Sequence, residues 1–135
     1  MLLLLDASVW VSLTERGNPH REAAAKLIRE RAWMLNALDL TLYEVANAIG
    51  VKQGNAEVAR RVNRLLRRSC RDRVLAVEAE LLDSALGIAG ENGLTIYDAA
   101  YVAAARRHGM TLVSLDIRDL VSKGLAVTPD AAVYP

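Results

Sequence analysis

Cysteine and histidine are scarce in this chain of 135 residues, and their scarcity limits the metal chemistry that it can support. Cys70 is the single cysteine, and the two histidines are His20 and His108. One cysteine excludes an internal disulfide and a cysteine-rich zinc site. Two isolated histidines argue against a His-based metal centre, so any metal ligands would be carboxylate oxygens. Oxygen ligands favour a hard cation such as Mg²⁺ or Mn²⁺.

Long apolar runs are also missing. The leading run, Met1 to Leu5, has no basic residue before it and ends at Asp6, which is too early for a signal peptide. No stretch approaches the ~20 apolar residues that a membrane-spanning helix needs. We therefore expect a cytoplasmic protein that has no membrane partner.

The chain lacks a strong charge excess of either sign. Its formal net charge is +1, and its 53% hydrophobic and 24% charged residues suit an ordinary folded protein. A length of 135 residues predicts a single domain over residues 1–135. Basic residues are nevertheless concentrated between Arg60 and Arg73, which indicates a local basic strip.

Strand and helix patterns alternate along the chain. We predict strands at residues 2–6, 33–37, 73–77 and 110–115, with a possible edge strand at 125–127. We predict helices at residues 8–13, 18–31, 41–52, 56–70, 78–90, 95–108 and 117–123, and an irregular or edge segment at 129–135. This alternation predicts an α/β fold of three α/β/α layers around a mostly parallel sheet. We expect Trp10 and Trp33 in the core, and His20 at the surface.

Four acids stand where predicted strands end or helices begin. Asp6 ends the first strand and Asp116 ends the fourth, while Glu44 and Asp98 open helices. In a parallel α/β sheet, these positions lie along one edge, where ligands bind. We therefore expect the four acids to meet although they are far apart in sequence.

Each acid, taken alone, also fits a purely structural role. Residues 41–44 and 95–98 match the capping-box pattern, and Asp116 could cap the helix that follows it. The joint pattern favours a cation, because clustered carboxylates repel one another unless positive charge offsets them. Such a site suits hydrolysis of a phosphodiester by a metal-activated water, which leaves a 5′-phosphate.

Four short segments follow, in order, the motifs of a known nuclease family. They are residues 5–10 (LDASVW), 41–47 (TLYEVAN), 96–101 (IYDAAY) and 113–116 (VSLD). In these segments the chain resembles PIN-domain ribonucleases, especially the VapC toxins of prokaryotic toxin–antitoxin pairs. The resemblance implies a PIN-like fold and an endoribonuclease that depends on Mg²⁺ or Mn²⁺. It also implies RNA as the substrate, a homodimer, and inhibition by a VapB-like antitoxin.

The resemblance also implies roles for individual residues. The catalytic, metal-binding acids would be Asp6, Glu44, Asp98 and Asp116. Possible outer-shell residues are Ser8, Asn47, Ser114 and Asp119. The last acid varies most within the family, so the division of roles between Asp116 and Asp119 stays open.

Other classes of protein match the motifs less well. A haloacid-dehalogenase-type phosphatase needs a second aspartate where Ser8 stands, and a receiver domain needs an acidic neighbour beside Asp6. A dinucleotide-binding site needs a glycine-rich first turn, which is absent after Asp6. Two alternatives remain, namely a catalytically inactive PIN-like binding domain and a small acid-site phosphohydrolase.

A stripe of arginines follows helical spacing at Arg60, Arg64, Arg67 and Arg71. One interpretation is a solvated helix face, on which Glu57 pairs with Arg60 or Arg61. The other is an RNA-binding rim beside the acidic pocket, in which these arginines contact phosphates.

Overall fold

Four parallel strands form the centre of the fold. The computed structural model describes residues 1–134 and contains β1 (Leu3–Leu5), β2 (Leu35–Leu38), β3 (Val74–Leu75) and β4 (Thr111–Val113). The strands lie in the order β3-β2-β1-β4, and each neighbouring pair is parallel. The predicted edge strand at 125–127 is reduced to one bridge between Val113 and Val127.

Helices cover both faces of this sheet. They are α1 (Ala7–Ser12), α2 (Arg21–Glu30), α3 (Asp39–Val45), α4 (Ala56–Cys70), α5 (Ala79–Asn92), α6 (Ile96–His108) and α7 (Pro129–Val133). A 3₁₀ turn spans Ala32–Met34, and π-helical segments span Ala46–Lys52 and Ile117–Val121. No helix within residues 1–134 is both long and apolar enough to cross a bilayer.

The apolar first strand divides its side chains between two cores. Leu3 and Leu5 pack in a cluster with residues of α1, α2, α4 and α7, while Leu4 packs in a cluster with residues of α5 and α6. Because both faces of β1 are covered, the strand needs apolar residues at every position. The predicted α/β class with three α/β/α layers and a parallel sheet is confirmed.

Helix α3 begins earlier than the sequence indicated. It starts at Asp39 and continues directly into the π-helical segment Ala46–Lys52. Glu44 therefore lies in the second turn of α3, and its predicted position at the start of a helix is wrong. The helix follows β2 without a loop, so its residues stay near the carboxyl end of that strand.

The predicted irregular or edge segment at 129–135 is wrong over its described part. Residues Pro129–Val133 form α7, with Thr128 as the cap and a proline in the first turn. Pro135, the last residue of that prediction, lies outside the described residues. The Nδ1 atom of His20 lies 2.5 Å from Asp130 Oδ2. His20, expected as an isolated surface residue, therefore holds α7 beside the start of α2.

The two tryptophans have opposite environments. Trp10, a residue of α1, is fully buried in the core, as predicted, whereas Trp33 is 68% exposed. The predicted core position of Trp33 is therefore wrong. Residues 32–34 form a 3₁₀ turn before β2, and that turn buries Met34 instead.

This difference predicts unequal effects on stability. Trp10→Ala empties a large, fully enclosed volume and should lower the free energy of unfolding by about 3–5 kcal/mol. Trp33→Ala is the matched control and should change it by less than about 0.5 kcal/mol. Urea denaturation followed by far-UV circular dichroism measures both values. Equal losses in the two variants would contradict these environments.

Candidate active site

The ends of β1 and β4 bring two of the acids to one edge of the sheet. Asp6 directly follows β1, and Asp116 lies just beyond β4, which pairs with β1. Glu44 reaches this edge from α3, which begins where β2 ends. These positions lie at the carboxyl ends of parallel strands, the edge where α/β sheets bind ligands.

Two serines hold Asp6 in place. Its side chain is 5% exposed, and it caps α1 by accepting the Ser8 N–H at 3.0 Å. The Ser8 hydroxyl also donates to the Asp6 carboxylate, and hydrogen bonding from Ser114 lowers the pKa of Asp6. The same hydroxyl of Ser8 accepts the Leu115 N–H at 2.9 Å, and that of Ser114 accepts the Asp116 N–H at 3.0 Å. The serines therefore tie the ends of β1 and β4 to each other through Asp6.

The acids are close enough to perturb one another. The pKa of Asp6 is raised from 3.8 to about 6, mainly by burial; hydrogen bonding from Ser114 and Ser8 opposes the rise, and the charges of Asp98 and Glu44 add to it. Burial also raises the pKa of Asp98, and the charges of Asp116 and Asp119 add to that effect. All five carboxylates thus share one region of negative potential.

Glu44 is held by a tyrosine from another helix. Burial raises the pKa of Glu44, a hydrogen bond from Tyr101 lowers it, and the charge of Asp98 raises it again. The Tyr101 hydroxyl donates to Glu44 Oε1 at 2.7 Å and lies 2.9 Å from Thr41 Oγ1. Neither Tyr101 nor Thr41 is among the predicted metal ligands or outer-shell residues. The available signal was spacing, since Tyr101 follows Asp98 by three residues on α6 and so shares its face.

The structural roles of the acids are confirmed in part. Thr95 accepts the Asp98 N–H at 3.1 Å, and Asp116 Oδ1 accepts the Asp119 N–H at 3.0 Å, so both contacts are helix caps. Thr41 lies inside α3 rather than at its cap, so the predicted capping box at 41–44 is absent. A carboxylate has two oxygens, and capping through one leaves the other available.

An open pocket lies beside Glu44. It has a volume of about 340 Å³, and its lining includes Ser8, Glu44, Asn47, Lys52 and Leu115. Asn47, which is exposed, therefore stands one turn from Glu44 at the same pocket, as its spacing predicted. Lys52 brings a positive charge to the rim of this acidic pocket.

The acids at this edge of the sheet carry donor atoms that suit a divalent cation. Asp6, Glu44, Asp98 and Asp116 offer carboxylate oxygens, the ligands that Mg²⁺ and Mn²⁺ prefer. In the present side-chain positions, no three His, Cys, Asp or Glu residues within residues 1–134 surround a common point as metal ligands. Binding one ion through several of these acids would therefore require side-chain rotations.

The arginine stripe lines a groove that is separate from the pocket beside Glu44. Leu42, Arg64, Arg67, Arg71 and Val74 are among the residues that line a groove of about 580 Å³. Leu42 thus faces this groove, whereas Glu44 faces the acidic pocket. The arginines and Glu44 thus line different pockets, and an RNA-binding rim formed by these arginines stays a prediction.

The two ends of the arginine stripe differ in their surroundings. Helix α4 ends at Cys70, so Arg71 continues the groove from a cap position with a positive φ of 54°. Glu57 lies 3.7 Å from both Arg60 and Arg61, as the solvated interpretation predicted. Those pairs are exposed and contribute little stability.

Comparisons with known proteins agree on one family. The family model described as "PIN domain" matches residues 3–122. The chain is 37% identical to Ribonuclease VapC3 of Pyrobaculum aerophilum, with 96% of this chain and 100% of that protein covered. It is 34% identical to Exonuclease VapC9 of the same organism, with 89% of this chain and 84% of that protein covered.

A solved structure supports the fold. A toxin–antitoxin complex from Klebsiella pneumoniae contains a chain that matches with a TM-score of 0.68 at 18% identity, covering 94% of this chain and 97% of that chain. At that identity the likeness concerns the fold and not the chemistry.

The raised pKa of Asp6 predicts that this residue destabilises the metal-free protein. A folded pKa of about 6 against 3.8 means that the folded state binds more protons between these values, so stability falls as pH rises from about 4 to 6. In EDTA at pH 7.5, Asp6→Asn should raise the free energy of unfolding by about 1–3 kcal/mol. The gain should shrink at pH 4.5. Asparagine keeps the helix cap.

Urea denaturation at both pH values measures this effect. Asp83→Asn on the exposed face of α5 is the matched control and should leave stability unchanged at both. A loss of stability in Asp6→Asn at pH 7.5 would show that the Asp6 charge is well compensated without a cation.

Proposed function

Since this chain belongs to the PIN-domain family, we propose that it is the endoribonuclease toxin of a toxin–antitoxin pair. The observation that carries the proposal is the repulsion that Asp6, Glu44 and Asp98 experience at one sheet edge, where the charge of Asp116 acts on Asp98. Partly buried carboxylates that lie close to one another destabilise a domain that only binds a partner. A cation turns the same set into a hydrolytic site.

Asp6, Glu44, Asp98 and Asp116 would hold Mg²⁺ or Mn²⁺, with Asp119 as an outer ligand. When bound, the cation supplies positive charge that offsets the negative charge of the phosphodiester. The choice between the two metals stays a prediction, as does the expected cytoplasmic location. Residues 1–135 would act as one PIN-like domain.

The chain's own residues have separate tasks in this reaction. Ser8 and Ser114 keep Asp6 ionised and oriented through their hydroxyl protons. Asn47 at the pocket wall is placed to orient RNA beside Glu44. In the hydrolysis, a water oxygen bonds to phosphorus and the bond from phosphorus to the 3′ oxygen breaks. The products are a 5′-phosphate and a 3′-hydroxyl.

We propose two protein partners. One is a VapB-like antitoxin that inhibits the site, by analogy with the toxin–antitoxin complex that shares this fold. The other is a second copy of this chain. An apolar pocket of about 270 Å³ lined by Leu40, Tyr43 and Leu82, among others, supports the homodimer, because Tyr43 and Leu82 are exposed there.

Cleavage of RNA tests the assignment of the acids. Asp98→Asn removes one charge and should lower the rate of cleavage in Mg²⁺ or Mn²⁺ by about 100-fold or more, since it removes a cation ligand. The far-UV circular dichroism spectrum should stay unchanged. Asp83→Asn, an exposed acid on α5, is the matched control and should cleave normally.

The substrate decides among the alternatives. A circular RNA should be cut, because an endonuclease needs no end, whereas an enzyme that acts only from ends leaves it intact. EDTA should abolish the cutting. A wild-type protein that binds RNA without cutting it would favour the inactive binding domain. Hydrolysis of p-nitrophenyl phosphate without RNA cleavage would favour the small phosphohydrolase.

We propose further that the arginine groove holds RNA phosphates away from the cut bond. Arg60, Arg64, Arg67 and Arg71 are exposed, and three of them line the groove. A single strand that passes over α3 would contact both the acids and the arginines. The contacts would be electrostatic and independent of sequence.

Salt titration tests this groove. In the inactive Asp98→Asn background, the affinity for single-stranded RNA should fall steeply with salt, with about 0.7 log units of slope for each phosphate contact. Adding Arg64→Gln and Arg67→Gln should reduce that slope by roughly 1.4. Arg29→Gln on α2 is the control. A slope that does not change in the double variant would assign these arginines to an ordinary solvated face.

A further inference from the structure

Tyr101 is buried against the acidic site. It is 1% exposed, whereas Tyr97, one turn earlier on α6, is 55% exposed. Its hydroxyl lies 2.7 Å from Glu44 Oε1 and 2.9 Å from Thr41 Oγ1, and Thr41 itself is fully buried. The phenol therefore reaches from α6 to two residues of α3. The proposed cleavage reaction does not use this contact.

The hydrogen bonds among Thr41, Tyr101 and Glu44 allow one assignment of donors and acceptors. The Leu38 N–H donates to Thr41 Oγ1 at 3.0 Å, so the threonine oxygen already accepts a hydrogen bond. A tyrosine hydroxyl has one proton, and an ionised Glu44 can only accept. The Thr41 hydroxyl must then donate to Tyr101, and Tyr101 must donate to Glu44. Hydrogen bonds connected in this way polarise and strengthen one another.

This chain of hydrogen bonds, the relay, runs from Leu38 through Thr41 and Tyr101, and it restricts the orientation of Glu44. Oε1 is committed to Tyr101, and Oε2 remains for another partner. A glutamate side chain is among those with the most rotamer freedom, so the entropic cost of fixing it is large. The relay fixes the Glu44 side chain before any ligand binds, because its donors are anchored in the core and at the end of β2.

We propose that Tyr101 is the positioning residue for Glu44, which it holds in one orientation for cation binding through the relay from Leu38 and Thr41. This role rests on the proposed function, because it takes the acids to be ligands of a divalent cation. A group that orients a metal ligand without touching the metal typically changes metal affinity by roughly 10–100-fold.

Mn²⁺ binding without RNA tests this role, measured on the full chain by an EPR titration of free Mn²⁺. Tyr101→Phe keeps the ring and deletes the hydroxyl, and it should raise the Kd for Mn²⁺ roughly tenfold. Tyr97→Phe deletes an exposed hydroxyl on the same helix and should leave the Kd unchanged. In RNA cleavage, the Mn²⁺ concentration at half-maximal rate should rise by the same factor, while the rate at saturating Mn²⁺ falls less.

Thr41 provides an independent pair of variants. Thr41→Ser keeps the hydroxyl and should keep the Mn²⁺ affinity, whereas Thr41→Val removes the relay donor and should weaken it about threefold, less than Tyr101→Phe does. If Tyr101→Phe does not fold by circular dichroism, the threonine pair decides, and equal affinities of the pair would then overturn the proposal.

The outcomes separate this role from the proposed function. Wild-type protein that binds Mn²⁺ and cuts RNA, together with an unchanged Kd in folded Tyr101→Phe, would overturn the positioning role alone. Wild-type protein that neither binds Mn²⁺ nor cuts RNA would overturn the proposed function, and the role of Tyr101 with it.

Discussion

The repulsion among buried carboxylates is the constraint on which the rest of this structure depends. Asp6 is almost completely buried, and its pKa is raised by that burial and by the charges of Asp98 and Glu44. The fold tolerates this cost because its two apolar clusters are extensive and enclose both faces of β1. The stability of the core thus offsets the destabilisation that the acidic site causes.

Parallel pairing explains how such distant residues meet. Because β1 lies between β2 and β4, the residues that follow these three strands must emerge at one edge. The sequence therefore predicts the positions of Asp6 and Asp116 well, since each follows a buried apolar strand. Asp98 was predictable for a related reason, because the threonine before it marks the start of α6.

Other features depend on contacts between residues distant in the chain, and no local pattern contains them. Helix α3 starts at Asp39 and not at the predicted residue 41, so Thr41 lies inside the helix, where it takes part in the relay and does not act as the N-cap. Trp33 lies outside the core because it belongs to the 3₁₀ turn that precedes β2. The relation between the arginine groove and Glu44 depends on which residues of α3 face each pocket, since Leu42 lines the groove and Glu44 lines the other pocket.

The four acids also differ in what orients them, and this difference explains why a buried tyrosine is present. Asp6 and Asp116 each cap a helical segment by accepting a backbone N–H, and Asp98 lies beside the helix cap Thr95, whose hydroxyl oxygen accepts the Asp98 N–H. In each case a residue within three positions in the chain supplies one hydrogen bond, and Ser114 adds to the support of Asp6. Within residues 1–134, the carboxylate of Glu44 has no such local donor, because it lies in the second turn of α3. Its orientation has to come from another helix, and α6, which already supplies Asp98, supplies the hydroxyl of Tyr101 from the next turn.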